Sequence, residues 1–99
     1  MEKNVKIVGS LNYDKLKNLS TEERNSFIKK DVEQIMANHI AAHEKDEEPH
    51  YYNKDDSYSV KAEYDIMDSY YNNKGTINAS LSYNFTSGAK IKKVEQKSA

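Results

Sequence analysis

Two runs of strict alternation constrain this chain more than anything else in it. Tyr58, Val60, Ala62, Tyr64 and Ile66 are separated by Ser59, Lys61, Glu63 and Asp65, and Ile77, Ala79, Leu81, Tyr83 and Phe85 by Asn78, Ser80, Ser82 and Asn84. A period of two sends every apolar member to one face of a strand, so each run demands a sheet with one dry side and one wet side. Between the runs, Asn72-Asn73-Lys74-Gly75 supplies residues that tolerate positive φ, and Thr86-Ser87-Gly88 does the same ahead of Ala89, Ile91 and Val94. The three segments therefore read as an antiparallel meander. Ile91 and Val94 are out of phase by one position, which calls for a bulge near Lys92-Lys93 or an early end to the last strand.

The dry side needs a cover, and the preceding sequence supplies one. Ser20-Thr21-Glu22-Glu23 has the S/T-x-x-E form in which Ser20 and Glu23 satisfy each other's free backbone N–H groups at a helix start. At about 100° per residue, Ile28, Val32, Ile35, Met36 and Ile40 then fall in one arc, with Lys30, Glu33, Gln34, Asn38, Ala41 and Glu44 opposite. Pro49 stops the helix near Asp46 to Glu48. Upstream, Val5, Ile7, Gly9, Leu11 and Tyr13 alternate as a first strand, and Asp14 to Leu19 reads as a connector. The expected architecture is α+β in the order β-α-β-β-β: one long amphipathic helix packed on one face of a four-stranded antiparallel sheet, all within a single domain spanning 1–99. With strand one beside strand two, the outline resembles a cystatin-type sheet wrapping a helix in topology alone, and no cystatin inhibitory motif is present.

Composition narrows the function classes. Fifteen Lys and Arg against sixteen Asp and Glu give a net charge of −1, unlike a protein that binds nucleic acid mainly by neutralising phosphates. The absence of cysteine removes disulfides, thiolate zinc sites and cysteine nucleophiles. No Gly-rich phosphate loop and no G-x-S-x-G setting occurs. No apolar run approaches the ~20 residues of a membrane helix and the start lacks a signal-peptide pattern, so a cytoplasmic protein without membrane contact is expected. Charge is unevenly spread: residues 1–43 sum to +1, 44–68 to −6 and 69–99 to +4.

Three groups of residues could carry chemistry. His39 and His43, one helical turn apart, could offer two imidazoles to a metal. Their place in the apolar arc with Val32, Ile35 and Met36 favours instead two partly buried histidines bonded to tyrosine hydroxyls of the sheet, with pKa values lowered by burial and a helix–sheet contact loosened by acid. Lys90, Lys92 and Lys93 could touch phosphates, although lysines on an edge strand also prevent sheet-to-sheet aggregation. Tyr51, Tyr52 and Tyr71 are expected at the surface beside Glu47, Glu48, Asp55 and Asp56, an acidic, aromatic combination suited to a partner with a basic surface.

The residues thus point to a non-catalytic module, needing no cofactor, that inhibits or regulates a larger protein by occupying its surface. Abundant Lys, Asn, Ile and Tyr and the small size suit an accessory protein of a bacterium, phage or mobile element. The type is similar to anti-CRISPR inhibitors of nucleic-acid enzymes, a class without a shared sequence signature. The alternatives are a nucleic-acid-binding accessory protein using Lys90, Lys92 and Lys93, or a small-ligand or metal binder at His39 and His43. An exposed edge strand also offers a route to a homodimer.

Overall fold

The structure, a computed structural model, describes residues 2–44 and 52–98, with the side chains of 42–44 outside that description. Strand β1 (Glu2–Asn12) leads through a one-turn helix α1 (Tyr13–Leu16) to the long helix α2 (Thr21–Glu44), followed by β2 (Ser57–Met67), β3 (Asn73–Asn84) and β4 (Gly88–Ser98). The segment read as a connector therefore contains a short helix, capped by the Asn12 side chain accepting from the Lys15 N–H at 3.1 Å. The capping box that opens α2 is present: Ser20 N–H donates to Glu23 Oε1 at 3.1 Å and Glu23 N–H to Ser20 Oγ at 3.2 Å.

The four strands lie in the order β1-β2-β3-β4. β2, β3 and β4 form the expected antiparallel meander, and the phase break in the last strand is a bulge: Ser80 pairs with Lys93 and Leu81 with Ile91, leaving Lys92 as the extra residue. The expectation of a wholly antiparallel sheet is corrected at β1, which pairs with β2 in parallel from Glu2↔Ser57 to Asn12↔Met67. The reason lies in matched lengths. An eleven-residue strand and a 24-residue helix each span roughly 36 Å. The helix thus returns the chain to the end where β1 began, and β2 must set off in the same direction. The likeness to a cystatin-type wrap, which rested on an antiparallel first strand, lapses with it.

The core forms between α2 and the alternating faces. Ile28, Val32, Met36 and Ile40 bury one side chain per turn of α2 against Val5, Ile7 and Leu11 of β1, Tyr58 to Ile66 of β2, Ile77 to Tyr83 of β3 and Ala89 of β4. A stripe this narrow, backed by a charged face, lets the helix lie only loosely on the sheet, and its backbone comes nearest to β4. Tyr58, Tyr64 and Tyr83 are all buried. Tyr64 is fixed twice: its ring lies 3.3 Å from where a side chain on Gly9 would begin, and its hydroxyl donates to Asp31 Oδ2 on α2 at 2.6 Å. Gly9 and Tyr64 are direct partners in the β1–β2 register, so the missing side chain makes room for the ring to cross the edge strand and reach the helix. Burial, and then the Asp31 carboxylate, push the Tyr64 phenol far above its ordinary value.

Candidate interaction site

The register separates the two ends of the sheet and with them the tyrosines. The strand starts of β1 and β2, the end of β3 and the C-terminal half of α2 meet at one end, which holds Tyr52, Asn53, Asp55, Asp56 and His39. The other end carries the β2–β3 turn with Tyr70 and Tyr71. Eleven residues of β2, roughly 36 Å of strand, lie between them.

The turn is built by Asp68. Its Oδ1 accepts from the backbone N–H of both Tyr70 and Asn72 at 2.9 Å, its Oδ2 accepts from Asn72 Nδ2 at 3.2 Å, and Lys74 Nζ stands 4.0 Å away. The backbone closes the same loop, with Asp68 N–H donating to Asn72 O at 3.0 Å and Tyr71 N–H to Asp68 O at 3.1 Å. These donors, the Asn72 N–H foremost, hold the Asp68 carboxyl below the ordinary carboxylate range. Tyr71 sits in the left-handed region at φ 64°, a conformation that costs a bulky residue roughly 1 kcal/mol. The outcome is two phenol rings that stay 83% and 87% exposed on a backbone tied at every turn amide but one. Lys74 also stands over the ring of Tyr13, 5.7 Å from its centroid, joining the turn to α1.

The opposite end is organised inward. Tyr52 is half-buried and stacks on His39, ring centroids 4.4 Å apart and planes 9° from parallel, with Tyr58 next in line at 6.0 Å. The Tyr58 hydroxyl donates to Asn53 O at 2.8 Å and accepts from Asn53 N–H at 2.6 Å, holding the loop onto the core. Asp56 is paired with Lys3 at 2.9 Å, and that hydrogen bond is the main cause holding its carboxyl below the ordinary range. Asp55 stays exposed, its N–H bonded to Asn53 Oδ1 at 2.8 Å.

Of the residues singled out in the sequence, Tyr52, Asp55 and Asp56 therefore share one end and Tyr71 stands at the other, while Tyr51, Glu47 and Glu48 lie outside the described residues. Tyr52 contributes to packing, and Asp56 has its charge matched by Lys3. The outward aromatic pair is Tyr70 with Tyr71, and Asp68 is the residue sequence reasoning passed over. Its signal was present as an Asp followed at two and four residues by turn-tolerant positions, the spacing of an Asx turn. His39 is half-buried beside the apolar stripe, and the side chain of His43 lies outside the described residues. Among the described residues no three His, Asp or Glu side chains gather as metal ligands.

Lys90 and Lys93 stand opposite Ser82 and Ser80 on the face of the sheet turned away from α2, and Lys93 pairs with Glu95 at 2.7 Å. That face carries the row Asn78, Ser80, Ser82 and Asn84 and no aromatic residue from any of the four strands, so bases would find nothing to stack on. No helix among the described residues is long and apolar enough to cross a membrane. No protein-family model, no curated protein and no solved structure matches the chain.

Proposed function

We propose that the chain is a non-catalytic protein-binding module of the cytoplasm that acts by occupying a surface of a larger partner, with Tyr70 and Tyr71 as its anchor. The observation that carries this reading is the β2–β3 turn: backbone strain at Tyr71 is sustained by the Asp68 network, and its visible product is two aromatic rings held in water. Exposed, pre-ordered aromatic residues lose little entropy on docking and are the residues that dominate interface energies. Strain kept in place by its surroundings is characteristic of binding sites.

The acidic stretch 44–56 supports a partner with a basic surface. Asp55 keeps a charge unmatched among the described residues, and with its neighbours would steer a cationic partner towards the molecule before the tyrosines lock it. Inhibition of a nucleic-acid enzyme, whose substrate channel is lined by Lys and Arg, is the concrete version of this reading. The test is affinity capture from the native host's lysate with three baits: the unaltered chain, the Tyr70→Ser/Tyr71→Ser double variant, and an Asp55→Lys variant. A protein retained by the first bait, lost by the second and retained less at raised salt supports the reading. Equal capture by all three baits overturns it.

A further inference from the structure

The two edges of the sheet are treated in opposite ways, and the difference identifies an interface. β4 carries Lys90, Lys92, Lys93, Glu95 and Lys97, is bulged at Lys92, and is tied to α2 by Arg24 Nη1 donating to Gln96 Oε1 at 2.9 Å. Charges and a bulge are the usual defences of an edge against pairing with another strand. β1 has few of them between Val5 and Leu11: no proline, no bulge and a single charge, Lys6. Val8 stands 68% exposed on it, and Phe27 of α2 is 50% exposed beside it. Between β1 and α2 runs an apolar groove of about 380 Å³, lined by Ile7, Leu11, Leu16, Leu19, Phe27 and Ile35 among others.

We infer that β1 is the seam of a two-fold homodimer in which β1 of one copy pairs antiparallel with β1 of another, giving a continuous eight-stranded sheet with both α2 helices on the same face. Sequence and register select this occupant. A two-fold axis normal to the sheet joins residues of like parity, and centring it on Val8 sets Val8 against Val8, Ile7 against Gly9, Lys6 against Ser10, Val5 against Leu11 and Asn4 against Asn12. No like charges meet, and the exposed valines cover each other. Centring it on Lys6 would set lysine against lysine, which cross-strand pairing disfavours. The grooves of the two copies then face one another across the seam, with each Phe27 turned towards it, and at −1 per chain the copies scarcely repel. The seam is a single strand edge roughly 36 Å long, and contacts at the small end of the interface range are weak and transient, so association in the micromolar range is expected.

Sedimentation velocity of the purified chain from 1 to 500 µM, on the order of the range that brackets such a Kd, tests this. A concentration-dependent dimer is expected, with Val8→Lys raising its Kd by about tenfold or more because one apolar pair becomes a like-charge pair. Lys92→Ala on the opposite edge should leave the Kd unchanged. The chain has no cysteine, so Val8→Cys gives a clean second readout: residues on a two-fold of paired strands lie within disulfide reach. Mild oxidation should then give a covalent dimer at least about tenfold faster than Lys92→Cys. A monomer at every concentration, a dimer indifferent to Val8→Lys, or equal oxidation rates of the two cysteine variants overturns the inference. A monomer whose Val8→Lys variant loses a partner of another sequence would reassign the edge to that partner.

Discussion

Tyrosine does two different jobs at the two ends of this sheet. At the α2 C-terminal end the rings of Tyr52 and Tyr58 turn inward, one stacked on His39 and the other bonded through its hydroxyl to the Asn53 backbone. At the β2–β3 turn the rings of Tyr70 and Tyr71 point to solvent, and polar atoms of Asp68 and Asn72 do the structural work beneath them. The residue type is the same and the environment decides its role: a buried ring stabilises by what it displaces from water, whereas an exposed ring on a fixed turn leaves that contribution unused in the free chain.

The sharpest way to break this contrast is truncation at each end. Tyr58→Ala removes a ring that is 1% exposed and frees the Asn53 amide, so a loss of about 3–5 kcal/mol is expected. For a domain of this size that is enough to bring the melting temperature down by some tens of degrees or to unfold the chain at 37 °C. Tyr70→Ala and Tyr71→Ala should each change stability by less than about 0.5 kcal/mol. Urea unfolding of the variants measures the difference; comparable losses at the two ends would mean that the turn tyrosines are structural after all.

Much of this arrangement is legible in the sequence, and the gaps have physical causes. Period-two alternation placed Tyr58, Tyr64 and Tyr83 on the dry face because each strand pleat fixes the side of every residue. The capping box at Ser20 and Glu23 and the phase slip before Val94 are local signals with local consequences. The direction of β1 is not local: it depends on a helix as long as the strand, and the alternation of Val5 to Leu11 is the same whichever way its neighbour runs. The site was half legible. The Tyr70-Tyr71 pair is visible as text, but the turn read at Asn72 to Gly75 closes earlier, between Asp68 and Asn72, and φ 64° at Tyr71 follows from the Asp68 hydrogen bonds rather than from tyrosine's own preference. Tyr52 appeared exposed because its partner in space, His39, is far from it in sequence.

Between the two ends, Tyr64 provides an intermediate case. Its phenol is raised well above the ordinary value by burial and by Asp31. A raised folded-state pKa means that the neutral form is favoured on folding, so this contribution is complete below pH ~10 and declines as pH rises from there, where the unfolded chain ionises first. Stability of the unaltered chain should therefore fall above pH ~10, and Tyr64→Phe, which also removes the 2.6 Å bond to Asp31, should be less stable at pH 7 yet show a flatter alkaline limb. Chemical denaturation at pH 7 and pH 10.5 compares the slopes; parallel curves would show that Tyr64 does not carry the alkaline dependence.

A smaller effect separates strain from burial. Glycine adopts φ 64° without the clash that a tyrosine side chain suffers, so Tyr71→Gly should raise stability by up to ~1 kcal/mol while weakening capture of the partner. Opposite movement of stability and binding is what an anchor held under strain requires. Stability lost on making this substitution would mean that the Tyr71 ring packs usefully in the free protein.

The finest test concerns the clamp itself. Asp68 is held below the ordinary carboxylate value by the Asn72 and Tyr70 amides and by Lys74. A lowered folded-state pKa means that its contribution is present above pH ~4 and is lost as pH falls through the folded value. The Tyr70 and Asn72 amides should then exchange faster with solvent at pH 3 than their neutral-pH rates predict, and Asp68→Asn, which keeps the acceptor oxygen but cannot titrate, should abolish that acid sensitivity. At the other end the Lys3–Asp56 pair weakens in the same acid range, but the Asn53–Tyr58 bonds involve no carboxylate. Acid should therefore loosen the exposed tyrosines before the buried ones, and the order of amide exchange by NMR reads this directly: simultaneous loss at both ends would mean that the turn has no independent clamp, and that Tyr71 owes its strained backbone to the sheet as a whole.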